Sequence, residues 1–107
     1  MTIIKNFTPH SINVLDENNE LIATFPSLGI VRLSVKTVKA DFEIENFKII
    51  KTEFGEVQGL PEQSDSVYYI VSQLVKSALP NREDLLVPAE IVRDDKGVII
   101  GCKSFGV

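Results

Sequence analysis

The chain has 107 residues, of which 44% are hydrophobic and 24% are charged, and its formal net charge is −4. These values are typical of one globular domain over residues 1–107 and exclude an intrinsically disordered chain. The acidic balance disfavours a general nucleic-acid binder, because it repels phosphates. A single cysteine cannot form an internal disulfide, no apolar run approaches the ~20 residues that span a bilayer, and the first residues lack a signal-peptide pattern. We therefore expect a cytoplasmic protein that binds no membrane.

The first quarter of the chain predicts short strands joined by turns. Residues 3–6 are the first candidate strand, and Pro9 interrupts it because proline has no N–H to donate to a neighbouring strand. Two apolar runs, 12–15 and 21–25, flank the polar, Asn-rich residues 16–20. This arrangement predicts a β-hairpin.

The middle of the chain carries the clearest strand pattern. Apolar and polar side chains alternate over residues 31–36 and again over 38–45, which is typical of half-buried strands. The phase slips by one residue between the two runs, so we expect a bulge or turn near Thr37. Residues 47–54 are predicted to form a further strand, with Phe54 in the core.

The last third predicts a buried strand, a helix and a hairpin. Residues 67–71 are apolar or aromatic without alternation, which indicates a central strand covered on both faces. A short helix is predicted over 72–79 with Ser72 as its N-cap, and Asp-Asp-Lys-Gly at 94–97 predicts a hairpin turn. The whole pattern predicts an α+β, mainly β fold: a curved antiparallel sheet or partly open small barrel of about seven short strands with one short helix.

The usual signatures of catalytic and metal sites are missing from this sequence. It contains no Gly-rich phosphate loop and no Gly-x-Ser-x-Gly motif, and its one histidine and one cysteine cannot build a zinc site of the usual composition. We therefore expect no catalytic residue, no metal site and no cofactor. A non-enzymatic role is favoured, and a small hydrolase or isomerase is the weaker alternative.

Five sequence blocks follow one another along nearly the whole chain. They are Thr8-Pro9-His10, Phe54 through Pro61, Tyr69 through Val75, Arg82 with Asp84-Leu85-Leu86, and Arg93 through Gly101. Their order resembles a widespread family of small phage and prophage proteins. The resemblance implies a phage or mobile-element origin, and it carries no named activity.

Six residues within or next to these blocks are candidates for ligand binding: His10, Glu56, Tyr69, Ser72, Arg82 and Arg93. An imidazole can donate, accept and stack, a carboxylate can accept from ribose hydroxyls or a base amine, and a tyrosine ring can stack on a ligand. A serine at a helix start contributes polar donors, and a guanidinium can hold an anionic group with two parallel hydrogen bonds.

Each candidate also has a purely structural interpretation. The histidine can be an edge residue bonded to a loop, the glutamate can cap backbone N–H groups, and the serine can serve only as the N-cap. The two arginines can form surface salt bridges with the acids that follow them in the sequence. Adjacent residues of a strand face opposite ways, so one of Tyr68 and Tyr69 is expected in the core.

These expectations favour a non-catalytic phage or prophage accessory protein of the host cytoplasm. It would bind and sequester a small anionic, nucleotide-derived ligand that acts in host defence, and we expect Arg82 or Arg93 to be essential for that binding. The alternative is a protein-binding inhibitor or accessory virion component, with an acidic face built from Asp41, Glu43 and Glu45. We also expect a homo-oligomer, with the apolar strand 98–102 as a candidate interface.

Overall fold

The computed structural model describes residues 2–107 and confirms the mainly β fold class with a partly open barrel. Within these residues there are eight strands and one helix. The strands are β1 (Ile3–Asn6), β2 (Ile12–Leu15), β3 (Leu21–Phe25), β4 (Arg32–Lys39), β5 (Ile50–Gln58), β6 (Val67–Ile70), β7 (Leu85–Arg93) and β8 (Ile99–Gly106), and the helix is α1 (Gln73–Ala78).

Six strands form one curved sheet in the order β1-β6-β7-β8-β2-β3. Its two edge strands meet at one end, where Ser27 bridges to Asn6 and the Leu28 N–H donates to the Asn6 carbonyl at 2.9 Å. This contact almost closes the sheet into a barrel. Closure pairs the backbone groups that an open edge would leave exposed.

The sheet is mixed, which differs from the antiparallel arrangement expected from the sequence. The pairs β1–β6, β6–β7 and β2–β8 are parallel, while β2–β3 and β7–β8 are antiparallel. The parallel pairs join segments that lie far apart in the chain, such as Ile3 beside Val67 and Val14 beside Cys102. Alternation within one strand shows which of its faces is buried, but it does not show whether a distant strand pairs with it in parallel or antiparallel. The sequence pattern therefore could not reveal the parallel pairs.

The local predictions around turns and the helix are confirmed. Strands β2 and β3 form the expected hairpin, and Arg93 and Val98 flank the turn that joins β7 to β8. Ser72 is the N-cap of α1, and its hydroxyl accepts a hydrogen bond from the Val75 N–H at 3.2 Å. Tyr69 is buried and Tyr68 is partly exposed, as expected for neighbours in a strand.

The core lies between β6, β7 and α1. Its buried members are Tyr69, Val71, Val75, Leu85 and Val87. The ring of Phe7 packs edge-on against Tyr69 with centroids 5.5 Å apart, and Val31 and Leu33 at the root of β4 also contact this cluster. No helix within residues 2–107 is long and apolar enough to cross a membrane.

Strands β4 and β5 form a separate two-stranded antiparallel sheet, here called the arm (residues 32–58). The predicted strand over 38–45 ends earlier, at Lys39, and the one predicted over 47–54 begins later, at Ile50. The expected bulge near Thr37 lies instead where Leu33 and Val35 change register with β5. Phe54, expected in the core, is 41% exposed because the arm extends away from the other sheet.

Candidate functional site

A cavity of about 340 Å³ with a largely apolar lining lies beside the barrel. Its buried lining comes from Val71, Gly101 and Cys102, and its exposed apolar lining comes from isoleucines of β7 and β8. The residues that follow the carboxyl ends of the parallel strands β1 and β6 supply its polar side. The volume lies at the lower end of the range of about 300–1,000 Å³ that small-molecule sites occupy.

Two of the six candidate residues, His10 and Ser72, line this cavity together. They are far apart in the chain, and the parallel pairing of β1 with β6 brings the ends of their strands side by side. Both side chains belong to exposed residues, so a ligand can reach them. Their role in binding stays a prediction, but the structure gives them one shared location.

The loop that carries His10 is fixed by the buried side chain of Asn6. The Asn6 amide nitrogen donates to the carbonyls of His10 and Phe25, each at 2.8 Å, and its oxygen accepts from the Thr8 N–H at 2.9 Å and the Thr8 hydroxyl at 2.7 Å. This single amide therefore holds together the end of β1, the loop after it and the end of β3. His10 enters the network through its backbone carbonyl, which leaves the imidazole outside it.

Asn6 was not among the residues singled out from the sequence. A polar residue at the end of a short strand is ordinarily interpreted as a solvent-facing position, yet Asn6 is only 1% exposed. The available signal was an asparagine two residues before a Thr-Pro pair, because Asn side chains commonly bond backbone groups two residues ahead.

The thiol of Cys102 is also part of the cavity lining. The residue is 1% exposed, and burial raises the pKa of the thiol because the charged thiolate loses its hydration. A raised pKa keeps the thiol protonated and therefore weakly nucleophilic at neutral pH. Cys102 thus contributes a small apolar surface to the cavity.

Gly101 lets strand β8 approach β2 closely at the cavity wall. A Cβ atom at this position would lie 2.8 Å from the Asn13 carbonyl oxygen and 3.0 Å from the Leu15 side chain. Such distances are shorter than van der Waals contact, so any larger residue would push the two strands apart. The shape of the cavity therefore depends on a glycine here.

Arg82 lies outside this cavity and forms a two-point ion pair with Asp84. Its Nε donates to Oδ1 at 2.8 Å and its Nη2 to Oδ2 at 2.7 Å, and Nη2 also donates to the Pro61 carbonyl at 3.1 Å. The hydrogen bonds from Arg82 hold the pKa of Asp84 below its ordinary value, although burial opposes this. The same bonds raise the pKa of Arg82. The pair was foreseen as a surface salt bridge, but the Asp84 side chain is only 4% exposed.

The other three candidates lie in three further places. Tyr69 is 3% exposed and packs in the core. Glu56 belongs to β5 and projects from the arm as an exposed residue. Arg93 donates through Nη1 to the Gly97 carbonyl at 2.9 Å and lines a shallow depression that also includes Glu90 and Lys103. The six candidates therefore do not form one site.

Within residues 2–107, no group of three His, Cys, Asp or Glu side chains lies close enough to hold a metal ion. The polar groups of the cavity are hydroxyls, an amide and an imidazole. These groups can form hydrogen bonds and stack on a ring. Comparison of the chain with protein-family models, with curated proteins and with solved structures finds no match.

Proposed function

We propose that this chain is a non-catalytic binding protein of phage or prophage origin that sequesters a small nucleotide-derived ligand in the host cytoplasm. The observation that carries the proposal is the cavity with His10 and Ser72 on its polar side. Sites of this kind hold a ligand mainly by apolar contact and orient it with a few polar groups. The small size of the chain and the missing catalytic motifs also favour binding over chemistry.

The lining suits a flat heterocyclic ring. Ile91, Ile99 and Ile100 offer apolar surface, and the imidazole of His10 can stack on a ring or hydrogen-bond to its edge. The Ser72 hydroxyl accepts from the Val75 N–H and still has its own hydrogen to donate. A nucleobase presents both the ring face and the edge groups that such a lining would recognise.

An anionic part of the ligand would lie outside the cavity, since neither lysine nor arginine lines it. Two cations, Arg93 and Lys103, line a neighbouring depression of about 420 Å³ together with Glu90. Ile91 borders both the cavity and this depression. We therefore propose that the base of the ligand lies in the cavity and its phosphate lies in the depression. Arg93 uses one N–H for the Gly97 carbonyl and has others for a phosphate. Arg82 is not part of this proposal, because it lines neither recess and its Nε and Nη2 are bonded to Asp84 and Pro61.

Titration calorimetry of the wild type and two variants tests the proposal, with a panel of nucleosides, nucleotides and ADP-ribose derivatives. His10→Ala should weaken every ligand by about 1–3 kcal/mol, the value of one stacked base, or about five-fold to more than 100-fold in Kd. Arg93→Ala should weaken nucleotides but leave nucleosides unchanged. Asn81→Ala, an exposed residue outside the cavity, is the matched control. A wild type that binds nothing on the panel would refute the proposal.

The protein-binding alternative has one specific observation in its favour. The end of the arm exposes Phe42 and Ile44 among the acids Asp41, Glu43 and Glu45. An exposed apolar patch with charged neighbours is typical of a protein interface. If the ligand panel fails and a purified host or virion protein binds the wild type but not an Asp41→Asn, Glu43→Gln, Glu45→Gln variant, this alternative replaces the first proposal.

A further inference from the structure

Two hydroxyl groups on the polar side of the cavity follow the ends of neighbouring strands. They belong to Thr8 and Ser72, which both line the cavity. The parallel register of β1 with β6 ends at the pair Asn6 and Ile70, where the Phe7 N–H donates to the Ile70 carbonyl at 2.9 Å. Each hydroxyl residue lies two positions beyond this pair in its own segment. The pairing of the two strands therefore brings the two hydroxyl residues to the same side of the cavity.

The hydroxyl of Thr8 can only accept a further hydrogen bond. Asn6 Nδ2 donates to the carbonyls of His10 and Phe25, so the other terminal atom of this amide is its oxygen. That oxygen lies 2.7 Å from Thr8 Oγ1, and because it carries no hydrogen, the Thr8 hydroxyl is the donor. The His10 carbonyl, 3.0 Å from Oγ1, competes for the same hydrogen. The single hydrogen is thus used, and the lone pairs of Oγ1 remain as acceptors.

The hydroxyl of Ser72 has the opposite role. A backbone N–H can only donate, so Ser72 Oγ accepts from the Val75 N–H at 3.2 Å in the N-cap of α1. This bond does not use the hydrogen of the hydroxyl, which can therefore be donated to a ligand. The two hydroxyls are chemically alike, yet Thr8 offers an acceptor and Ser72 offers a donor. The buried amide of Asn6 and the first turn of α1 set this difference.

We propose that Thr8 and Ser72 together bind the Watson–Crick edge of the ligand's base, with Thr8 as the residue that requires a donor hydrogen there. This inference rests on the proposed function, which puts the base in the cavity. Thr8 Oγ1 accepts from a ring N–H or an amino group, and the Ser72 hydroxyl donates to the carbonyl oxygen or ring nitrogen beside it. Nucleobases carry such a donor and acceptor side by side on this edge. A base with a blocked edge is rejected, because polar groups of the site then stay unpaired.

Titration calorimetry with nucleosides tests the contact to Thr8 without changing the protein. The nucleoside that binds most tightly is compared with an analogue whose methyl groups replace the donor hydrogens of its Watson–Crick edge, such as 3-methyluridine for uridine. A nucleoside methylated on a ring carbon outside that edge, such as 5-methyluridine, is the control for size. Edge methylation should raise Kd about ten-fold or more relative to this control. Equal affinities overturn the inference but leave the proposed function standing, whereas a wild type that binds no nucleoside and no nucleotide overturns both.

Two substitutions of nearly equal shape test the donor at position 72. Aspartate and asparagine are both good N-caps, so Ser72→Asp and Ser72→Asn should both keep α1, but only the asparagine amide has hydrogens to donate. With an uncharged nucleoside as the probe, Ser72→Asp should bind about ten-fold or more weakly than Ser72→Asn. Thermal unfolding followed by circular dichroism checks that both variants fold. Equal affinity of the two folded variants overturns the inference, because the ligand then accepts no hydrogen bond from this position.

Discussion

We expect removal of the Arg82 side chain to destabilise the fold. An arginine in a fully exposed salt bridge could be removed with little effect on stability. The Arg82 side chain is 23% exposed and pairs at two points with an Asp84 carboxylate that is 4% exposed. Arg82→Ala leaves that carboxylate buried without a cation. Breaking a buried pair in this way costs about 3–5 kcal/mol, and the partial exposure of Arg82 puts our expectation near the lower limit. This is a large fraction of the roughly 5–15 kcal/mol that holds a domain folded.

Urea denaturation of the wild type and the variant at neutral pH measures the difference in the free energy of unfolding. Lys51→Ala is the control, because it removes the exposed Lys51–Glu53 pair at 4.0 Å, and such pairs contribute less than about 1 kcal/mol. The double variant Arg82→Met, Asp84→Leu should recover much of the loss, since it leaves no unpaired charge. A loss below about 1 kcal/mol for Arg82→Ala would refute a structural role for this pair.

The destabilisation should also depend on pH. The pKa of Asp84 is lowered in the folded protein, so the pair stabilises the fold above the ordinary aspartate pKa of about 4, and this contribution is lost as the pH falls toward the lowered value. In Arg82→Ala, burial without the cation favours the protonated carboxyl. The difference between wild type and variant should therefore shrink from pH 7 to pH 3. A difference that stays constant over this range would mean that lost packing, not the charge, explains the effect.

Two further substitutions test the contacts that shape the cavity. Asn6→Ala removes four hydrogen bonds of about 1 kcal/mol each and should lower the free energy of unfolding by about 4 kcal/mol in urea, whereas the exposed Asn18→Ala should change it little. If Asn6→Ala lowers the free energy of unfolding no more than Asn18→Ala does, the Asn6 side chain does not hold the loop after β1 to the end of β3. Gly101→Ala should cost about 1–3 kcal/mol by overpacking, while Gly106→Ala in the same strand, whose Cβ would lie 3.4 Å from its nearest neighbour, should be tolerated. Equal thermal stability of the two glycine variants would count against the close approach of β8 to β2.

The local elements could be predicted from the sequence because their causes are local. The hairpin turn between β7 and β8, the Ser72 cap and the opposite orientation of Tyr68 and Tyr69 each follow from a few neighbouring residues, although the sequence did not say which tyrosine is buried. The sequence also indicated that His10 and Ser72 are candidates, but not that they meet, because their proximity depends on the parallel pairing of β1 with β6.

The other differences between the sequence predictions and the structure concern which residues are buried, because burial depends on contacts between distant parts of the chain. Arg82 pairs with one of the acids that follow it in the sequence, as its structural interpretation expected, yet this acid lies inside the protein, and we therefore expect the pair to stabilise the fold. Phe54 has the residue type of a core position, but the strand that carries it leaves the core. Asn6 has the residue type of a surface position, but its buried side chain joins the loop after β1 to the end of β3.

The parallel pairing of β1 with β6 and of β2 with β8 also sets the order in which the chain can fold during synthesis. β1 has no strand to pair with until residues 67–70 have left the ribosome, and β2 meets its second neighbour only when the last strand has been made. Before then, only the β2–β3 hairpin and the arm can form from local contacts. Pairings between distant segments form slowly, because a long loop must close before they stabilise the chain. The nascent protein therefore holds β1 without its neighbour until β6 has been made, and it is more vulnerable to aggregation until β8 has paired with β2.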